Sequence, residues 1–577
     1  MVAKRNDGKP ISRRKQMNRQ FKKLVDQILD LRWKARPVEA TFSGVHKYDH
    51  QLDRTDARSR RRYIKGARQY LKKLDAFSPA KKIPSKGSGL SVNEQMDWRM
   101  LRDALRVEIA EDRTVRWHER NAQIYPYYAL MGCYVFIMRD FAPLRTRMKS
   151  LLARLRQVPR FLREGQENLK KGRNIPAVWT RIGIETTVGG KQFFEKMVPA
   201  FARKVPGLEE RILAANRKAL SAFADYEEFL KTRLMPKSKG RFAVGKKHFD
   251  FLLSAHHQLP YTSNDLISIG NGIIRATQAE MASVARKIDR RRSWPRIVEE
   301  LKRKHPAKES LLGFYKKEMA RARDFVKRKD LVTIPRGESL SVVETPSFQR
   351  HTIPYGAYLP PAPFEKKQKG FFWVTPVNEK LSPREQEEQL QGHNSYVAVI
   401  TALHEAYPGH HLQLVHSNRI KSKVRRELET SLFAEGWALY CEELMYEKGF
   451  YTKPQTRLLQ LKDQLWRGCR VVIDAGLHTG KMSFDQAVNM LVKVAKLEKT
   501  NAVAEVKRYT YTPTQPMTYA MGKMEILRLR DDFKALKGKG FDLKKFHDQL
   551  LSYGTIPIQM VRERMLSTAI EHPKLKT

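Results

Sequence analysis

His404-Glu405-Ala406-Tyr407-Pro408-Gly409-His410-His411-Leu412-Gln413 follows an apolar helical run of Tyr396, Val397, Val399, Ile400 and Leu403. It gathers three imidazoles and a carboxylate into eight residues, 404–411. A His-Glu pair opening a motif on a helix is how one-metal hydrolases set a ligand beside a general base. The familiar form carries its second histidine four residues after the first, and here that position is Pro408. On an unbroken helix His411 shares the face of His404 but stands two turns away, about 10.5 Å along the axis. That separation is too large for both to hold one ion through bonds of about 2.0–2.1 Å. His410 is nearer in rise but turned off the face. Pro408 removes a helical hydrogen bond and clashes with the carbonyl of residue 404, while Gly409 tolerates the resulting backbone angles. The break therefore lets the helix loop and resume, bringing His410 or His411 round to His404; spacing leaves both open.

A hydrolytic zinc needs a third protein ligand and an open position for water. The segment Ser431-Leu-Phe-Ala-Glu435-Gly-Trp-Ala-Leu-Tyr-Cys-Glu442-Glu443 supplies a candidate in Glu435, 24 residues after His411. That length lets a second helix lie alongside the first. Glu435 sits in an apolar run, where an ionised carboxylate is costly without a cation or donor; pairing with an arginine is the simpler alternative. Glu442, seven residues on, shares its face and is placed to orient a ligand histidine from behind.

Outward from this centre, the helical period begins near Phe21 and recurs to residue 329. Stripes such as Leu144, Met148, Leu151, Leu152, Leu155 and Ile212, Leu213, Leu220, Phe223, Tyr226, Leu230 read as core faces. Over 330–378 the texture changes. Leu331-Val-Thr-Ile-Pro335, Ser339–Pro346 and Gly370–Val377 are β-branched or aromatic and bounded by Pro or Gly, and they predict strands. Between them, Ile353–Pro363 is too proline-rich for a central strand. This small sheet could offer an edge to an extended peptide or merely brace the helices. Helices resume over 379–565, with capping boxes predicted at Ser382–Glu385 and Ser483–Gln486. Residues 1–20 read as a basic, frayed N-terminus and 566–577 as a tail. The fold class is mainly α, a large helical body with a small accessory sheet.

The 577 residues carry 111 Lys+Arg against 61 Asp+Glu, a net charge of +50. Such an excess favours nucleic acid or an anionic surface as a partner, although no nucleic-acid-binding motif accompanies it and solvated helix faces account for it equally. Three scattered cysteines fit a reducing compartment rather than a disulfide framework. The basic N-terminus lacks an apolar segment behind it, and the most apolar run, Tyr127–Met138, is short of the roughly 20 residues needed to span a bilayer. No transmembrane segment and a cytoplasmic location are expected; the oligomeric state is not encoded legibly. His547 reads as a core histidine and His478 as a turn residue. His256-His257 lack a nearby carboxylate at ligand spacing, and Gly270-Asn-Gly272 lacks the rest of a phosphate loop. Arg419, Lys421, Lys423, Arg425 and Arg426 read as a solvated face.

HEAYPGHHLQ, LFAEGWALYCEEL, CRVVIDAGLHTGKMSFDQA, EVKRYTYTPTQPMTYAMGK and FDLKKFHDQLLSYGTIPI resemble the bacterial family called DUF885 over about residues 21–565. That family resembles mainly helical zinc peptidases of the gluzincin type, of the thermostable carboxypeptidase and oligopeptidase groups. The resemblance implies a deep cleft and one Zn2+ held by His404, by His410 or His411 or both, and by Glu435. It makes Glu405 the general base for a metal-activated water and Tyr519 the donor to the developing oxyanion. Arg508 and Tyr509 become candidates to bind a substrate carboxylate. The expected activity is hydrolysis of peptide or amide bonds. The alternatives are an esterase or small-molecule amidase using the same metal, and a non-catalytic basic helical protein that binds RNA or an anionic surface.

Overall fold

Side-chain caps start the helices where the sequence places them. Ser382 accepts the Glu385 N–H while the Glu385 carboxylate takes the Ser382 N–H, with Pro383 at the first helical position. Ser483 and Gln486 do the same for Phe484–Lys493. In this computed structural model, which describes residues 13–78, 89–346, 349–350, 353 and 355–571, helices dominate and the strands form one small sheet among the described residues. The first helix, α1 (Arg13–Ala35), starts ahead of Phe21, so of the expected frayed N-terminus only residues 1–12 lie outside the described residues. The last helix runs Ile558–Glu571, and residues 572–577 of the expected tail lie outside them too.

The sheet has the order β1-β3-β2. Strand β1 (Glu338–Glu344) runs parallel to β3 (Gln368–Val374), and β2 (Gly356–Leu359) pairs antiparallel with β3, Gly356 opposite Val374. The proline-rich segment thus contributes a four-residue edge strand, the position its composition permits. The strand predicted at Leu331–Pro335 does not form. Its backbone is satisfied by side chains: Thr333 N–H donates to Asp548 at 2.8 Å, and the Leu331 and Thr333 carbonyls meet His547 Nδ1 and His416 Nε2, each at 2.7 Å.

After the sheet come α2 (Ser395–Glu405), α3 (His410–Asn418), α4 (Ser431–Glu447), α5 (Pro454–His478), α6 (Lys499–Tyr509) and α7 (Thr518–Lys537). One core joins Phe21, Leu24 and Ile28 of α1 to Trp437 and Tyr440 of α4, Met521 of α7 and Met565 near the C-terminus. A second holds the N-terminal helices through Phe136, Leu151 and Phe223 and reaches the sheet at Trp373. A third packs helix Ser263–Ile288 on α5 through Met281, Leu465 and Ile473. His547 is a core residue as expected, fully buried with its Nε2 2.7 Å from the Tyr440 hydroxyl. His478 is not in a turn: it ends α5, buried, 2.9 Å from the Tyr509 carbonyl. All three cysteines are buried and free. Among the described residues no helix is long and apolar enough to cross a membrane.

Candidate metal centre

Helix α2 ends at Glu405, the Tyr407–Pro408 peptide is cis, and α3 restarts at His410. The turn is fastened from below. The Pro408 carbonyl accepts the Trp437 indole N–H at 2.8 Å and the Cys441 thiol at 3.6 Å, tying the break to α4. Gly409 passes so close to α2 that a Cβ there would lie 1.8 Å from the His404 carbonyl oxygen, so no other residue fits. The consequence is that His410, not His411, comes round to His404.

One donor atom each of His404, His410 and Glu435 lies within 4.8 Å of the others. Glu435 Oε2 stands 3.2 Å from His410 Nε2 and 3.9 Å from His404 Nε2. These spacings bracket the roughly 3.4 Å that tetrahedral geometry at bonds of about 2.1 Å requires. The same buried oxygen accepts no hydrogen bond, while Glu435 Oε1 takes the Gln515 amide at 3.3 Å. Behind the cluster, His404 Nδ1 lies 2.8 Å from the buried Glu442 Oε1. With its proton on Nδ1, His404 turns the lone pair of Nε2 toward Glu435. Burial alone would lower the His404 imidazole, but the carboxylates of Glu435, Glu442 and Glu405 carry it up to about 10. Burial would raise Glu435, yet the charges of His410 and His404 hold it well below the usual carboxylate range. Both shifts describe a place that stabilises positive charge, and two imidazoles with one carboxylate suit a zinc-sized cation.

The cluster opens into a cavity of about 370 Å3 also lined by Glu405, Tyr519 and Arg508. Burial raises the Glu405 carboxyl above its ordinary value, tempered by His410 and His404. Among the described residues neither the Glu405 carboxylate nor the Tyr519 hydroxyl is engaged in a hydrogen bond, so both are available to a ligand. The Tyr519 ring stacks on His404 at 6.3 Å. Arg508 is held by Glu505 at 2.9 Å and by Gln515, also at 2.9 Å.

Two expected site residues lie elsewhere. His411 is fully buried behind the cluster, its Nε2 2.7 Å from Glu338 of β1 and its Nδ1 2.9 Å from the Tyr358 hydroxyl of β2. It fastens α3 to the sheet. Tyr509 points into the third core instead of the cavity, and its hydroxyl accepts from Arg470 at 2.7 Å and Trp466 at 3.2 Å. Successive helical residues point about 100° apart, so Arg508 and Tyr509 could not both face the cavity. Sequence reasoning missed the α5 wall of the cavity, Lys462, Trp466, Arg467 and Arg470. Its signal was the recurrence of Lys462, Trp466 and Arg470 at four-residue steps.

A mainly helical body, a three-stranded sheet and a His-His-Glu cluster at the base of a cleft define the class of this molecule. The chain belongs to the family described as "Bacterial protein of unknown function (DUF885)", whose model matches residues 37–565. It is similar to a solved candidate lipoprotein of unknown function from Shewanella oneidensis, at 25% identity and a TM-score of 0.76, covering 95% of this chain and 99% of that one. A candidate lipoprotein from Colwellia psychrerythraea is 18% identical with a TM-score of 0.80, covering 97% and 99%, and that likeness speaks for the fold alone. No curated protein matches the chain.

Proposed function

We propose that the chain is a zinc-dependent hydrolase of peptide or amide bonds. The observation that carries this reading is one cavity in which His404, His410 and Glu435 converge beside an unengaged carboxylate, Glu405, and an unengaged hydroxyl, that of Tyr519. Zinc held by the two histidines and Glu435 would supply Lewis acidity and bring the pKa of a water to about 7. Glu405 takes a proton from the attacking water onto its carboxylate oxygen as the new C–O bond forms at the carbonyl carbon. The Tyr519 hydroxyl donates to the oxygen on which negative charge gathers. Glu405 then returns its proton to the leaving nitrogen as the C–N bond breaks, so water is added across the bond. Throughout, Glu442 Oε1 keeps the proton of His404 on Nδ1. Esters and small amides present the same carbonyl chemistry, and the cavity's charged walls favour peptides over apolar esters.

Location belongs to the same proposal. Three buried, free thiols suit a reducing compartment, whereas the solved relative from Shewanella oneidensis is described as a candidate lipoprotein. Fractionation of the native host protein decides between the cytoplasm and the envelope.

Metal analysis combined with digestion of a mixed peptide pool, comparing wild type with Glu405→Gln, tests the function. One zinc per chain in both proteins, and cleavage lost by about 100-fold or more in the variant, is the expected result. Wild-type protein without stoichiometric metal, or equal cleavage by both, overturns it.

A further inference from the structure

Five cations line the cavity: Lys302, Lys462, Arg467, Arg470 and Arg508. Four have carboxylate partners. Lys302 meets Glu498 at 2.7 Å, Arg467 meets Asp463 at 3.7 Å, and Arg470 and Arg508 share Glu505 at 3.0 and 2.9 Å. Lys462 has no ion pair or hydrogen bond among the described residues, although it is only 8% exposed. A lysine this enclosed is ordinarily paired. The acids near it are already engaged: Asp463 with Arg467, Glu498 with Lys302 and Asn501. Arg470, on the same wall, is 3% exposed, and its guanidinium is packed over the Trp466 ring at 4.1 Å.

The wall runs directly to the candidate metal centre. Arg470 lies over the Tyr519 ring at 4.5 Å, and that ring stacks on His404. Lys462 is two helical turns before Arg470 on α5, about 12 Å along the axis. That distance is spanned by roughly three extended residues at about 3.3–3.6 Å each. The α5 face therefore offers the unpaired side chain of Lys462 in the same cavity as the candidate metal centre.

Building on the hydrolase reading, we infer that Lys462 is a substrate-binding residue that receives a carboxylate of the peptide, a few residues from the bond to be cut. The carboxylate is either the free C-terminus or an acidic side chain at that distance. Binding supplies the partner that Lys462 lacks and places the peptide along α5.

Binding without turnover tests this independently of catalysis. Calorimetry on Glu405→Gln protein uses an N-acetylated tetrapeptide ending in Glu, the same peptide as its C-terminal amide, and the same peptide with Gln for Glu. One of the two neutralised peptides is expected to bind about 10- to 100-fold more weakly than the parent, the worth of a charge-assisted hydrogen bond, and which one identifies the carboxylate. Adding Lys462→Gln is expected to abolish that preference, and Lys462→Arg, which keeps the charge, is expected to retain it. The melting temperature of Lys462→Gln is expected to match or exceed the parent's, since no ion pair is lost; a merely structural lysine would lower it. Equal binding of all three peptides, or a preference that survives Lys462→Gln, overturns the inference. Hydrolysis indifferent to both carboxylates would overturn it while leaving the hydrolase standing, and selective binding without hydrolysis by wild type would do the reverse.

Discussion

Substituting Gly522 by alanine tests how the site is framed. Helices α4 and α7 cross at Gly436 and Gly522, so closely that a Cβ on Gly522 would lie 2.1 Å from the Leu432 carbonyl oxygen and 2.6 Å from the Gly436 Cα. Both obstacles are backbone, so no rotamer change relieves them, and the helices must part by roughly 1 Å to restore contact distance. Overpacking of this kind costs about 1–3 kcal/mol. Gly436 follows Glu435, and Gly522 lies one turn after Tyr519, so the separation carries the hydroxyl away from the cluster. A misplacement of about 1 Å in a positioned group costs on the order of 100-fold in rate. Denaturant unfolding and peptide hydrolysis of Gly522→Ala are expected to show both losses. Zinc affinity is expected to change far less, because all three donors sit on α2, α3 and α4. Wild-type stability in Gly522→Ala, or full activity in a destabilised variant, would refute the reasoning.

The two adjacent histidines should separate cleanly. His410→Ala is expected to lose stoichiometric zinc, whereas His411→Asn keeps it but loses about 1–3 kcal/mol in unfolding experiments, because the buried Glu338 carboxylate loses its His411 bond and keeps those from Tyr407 and Arg323. Glu442→Gln removes the negative charge behind His404 and is expected to weaken zinc binding about 10- to 100-fold in competition with a chelator. Far from the site, burial pushes the Asp53 carboxyl up to about 7, against the Val38 N–H that it accepts. A raised carboxyl keeps its proton in the folded state after the unfolded chain has released it, so wild-type stability falls as pH rises from about 4 to 7. Asp53→Asn is expected to flatten that part of the melting-temperature profile; an unchanged slope would mean that Asp53 does not titrate there.

The candidate site was legible where chemistry and spacing coincide. The His404-Glu405 pair, the Pro-Gly break and Glu435 in its apolar run announce a cluster before any fold is known, and Glu442 follows from sharing a face with Glu435. The choice between His410 and His411 was not legible. It depends on the direction in which the chain leaves Pro408, and that direction is set by bonds from Trp437 and Cys441, some thirty residues away. Tyr509 came in with the segment that resembles the family, and only the packing of α6 against α5 shows that its ring belongs to the third core. Leu331–Pro335 shows the complementary failure: its β-branched pattern is real, but distant side chains satisfy its backbone. Lys462 was not singled out, since only the arrival of the sheet and α6 over α5 encloses it.

The core that unites the two ends of the chain bears on how the protein is made. Phe21, Leu24 and Ile28 share their core with Trp437, Met521 and Met565, so synthesis leaves the apolar face of α1 waiting for partners that emerge hundreds of residues later. Exposed surface of that kind invites association with other chains and occupies chaperones. The segment from His404 to Glu435 emerges well before Tyr519 does, so the nascent chain holds all three donors while the cleft is still unbuilt. Assembly of the three donors and completion of the cleft around them are then separate events in time.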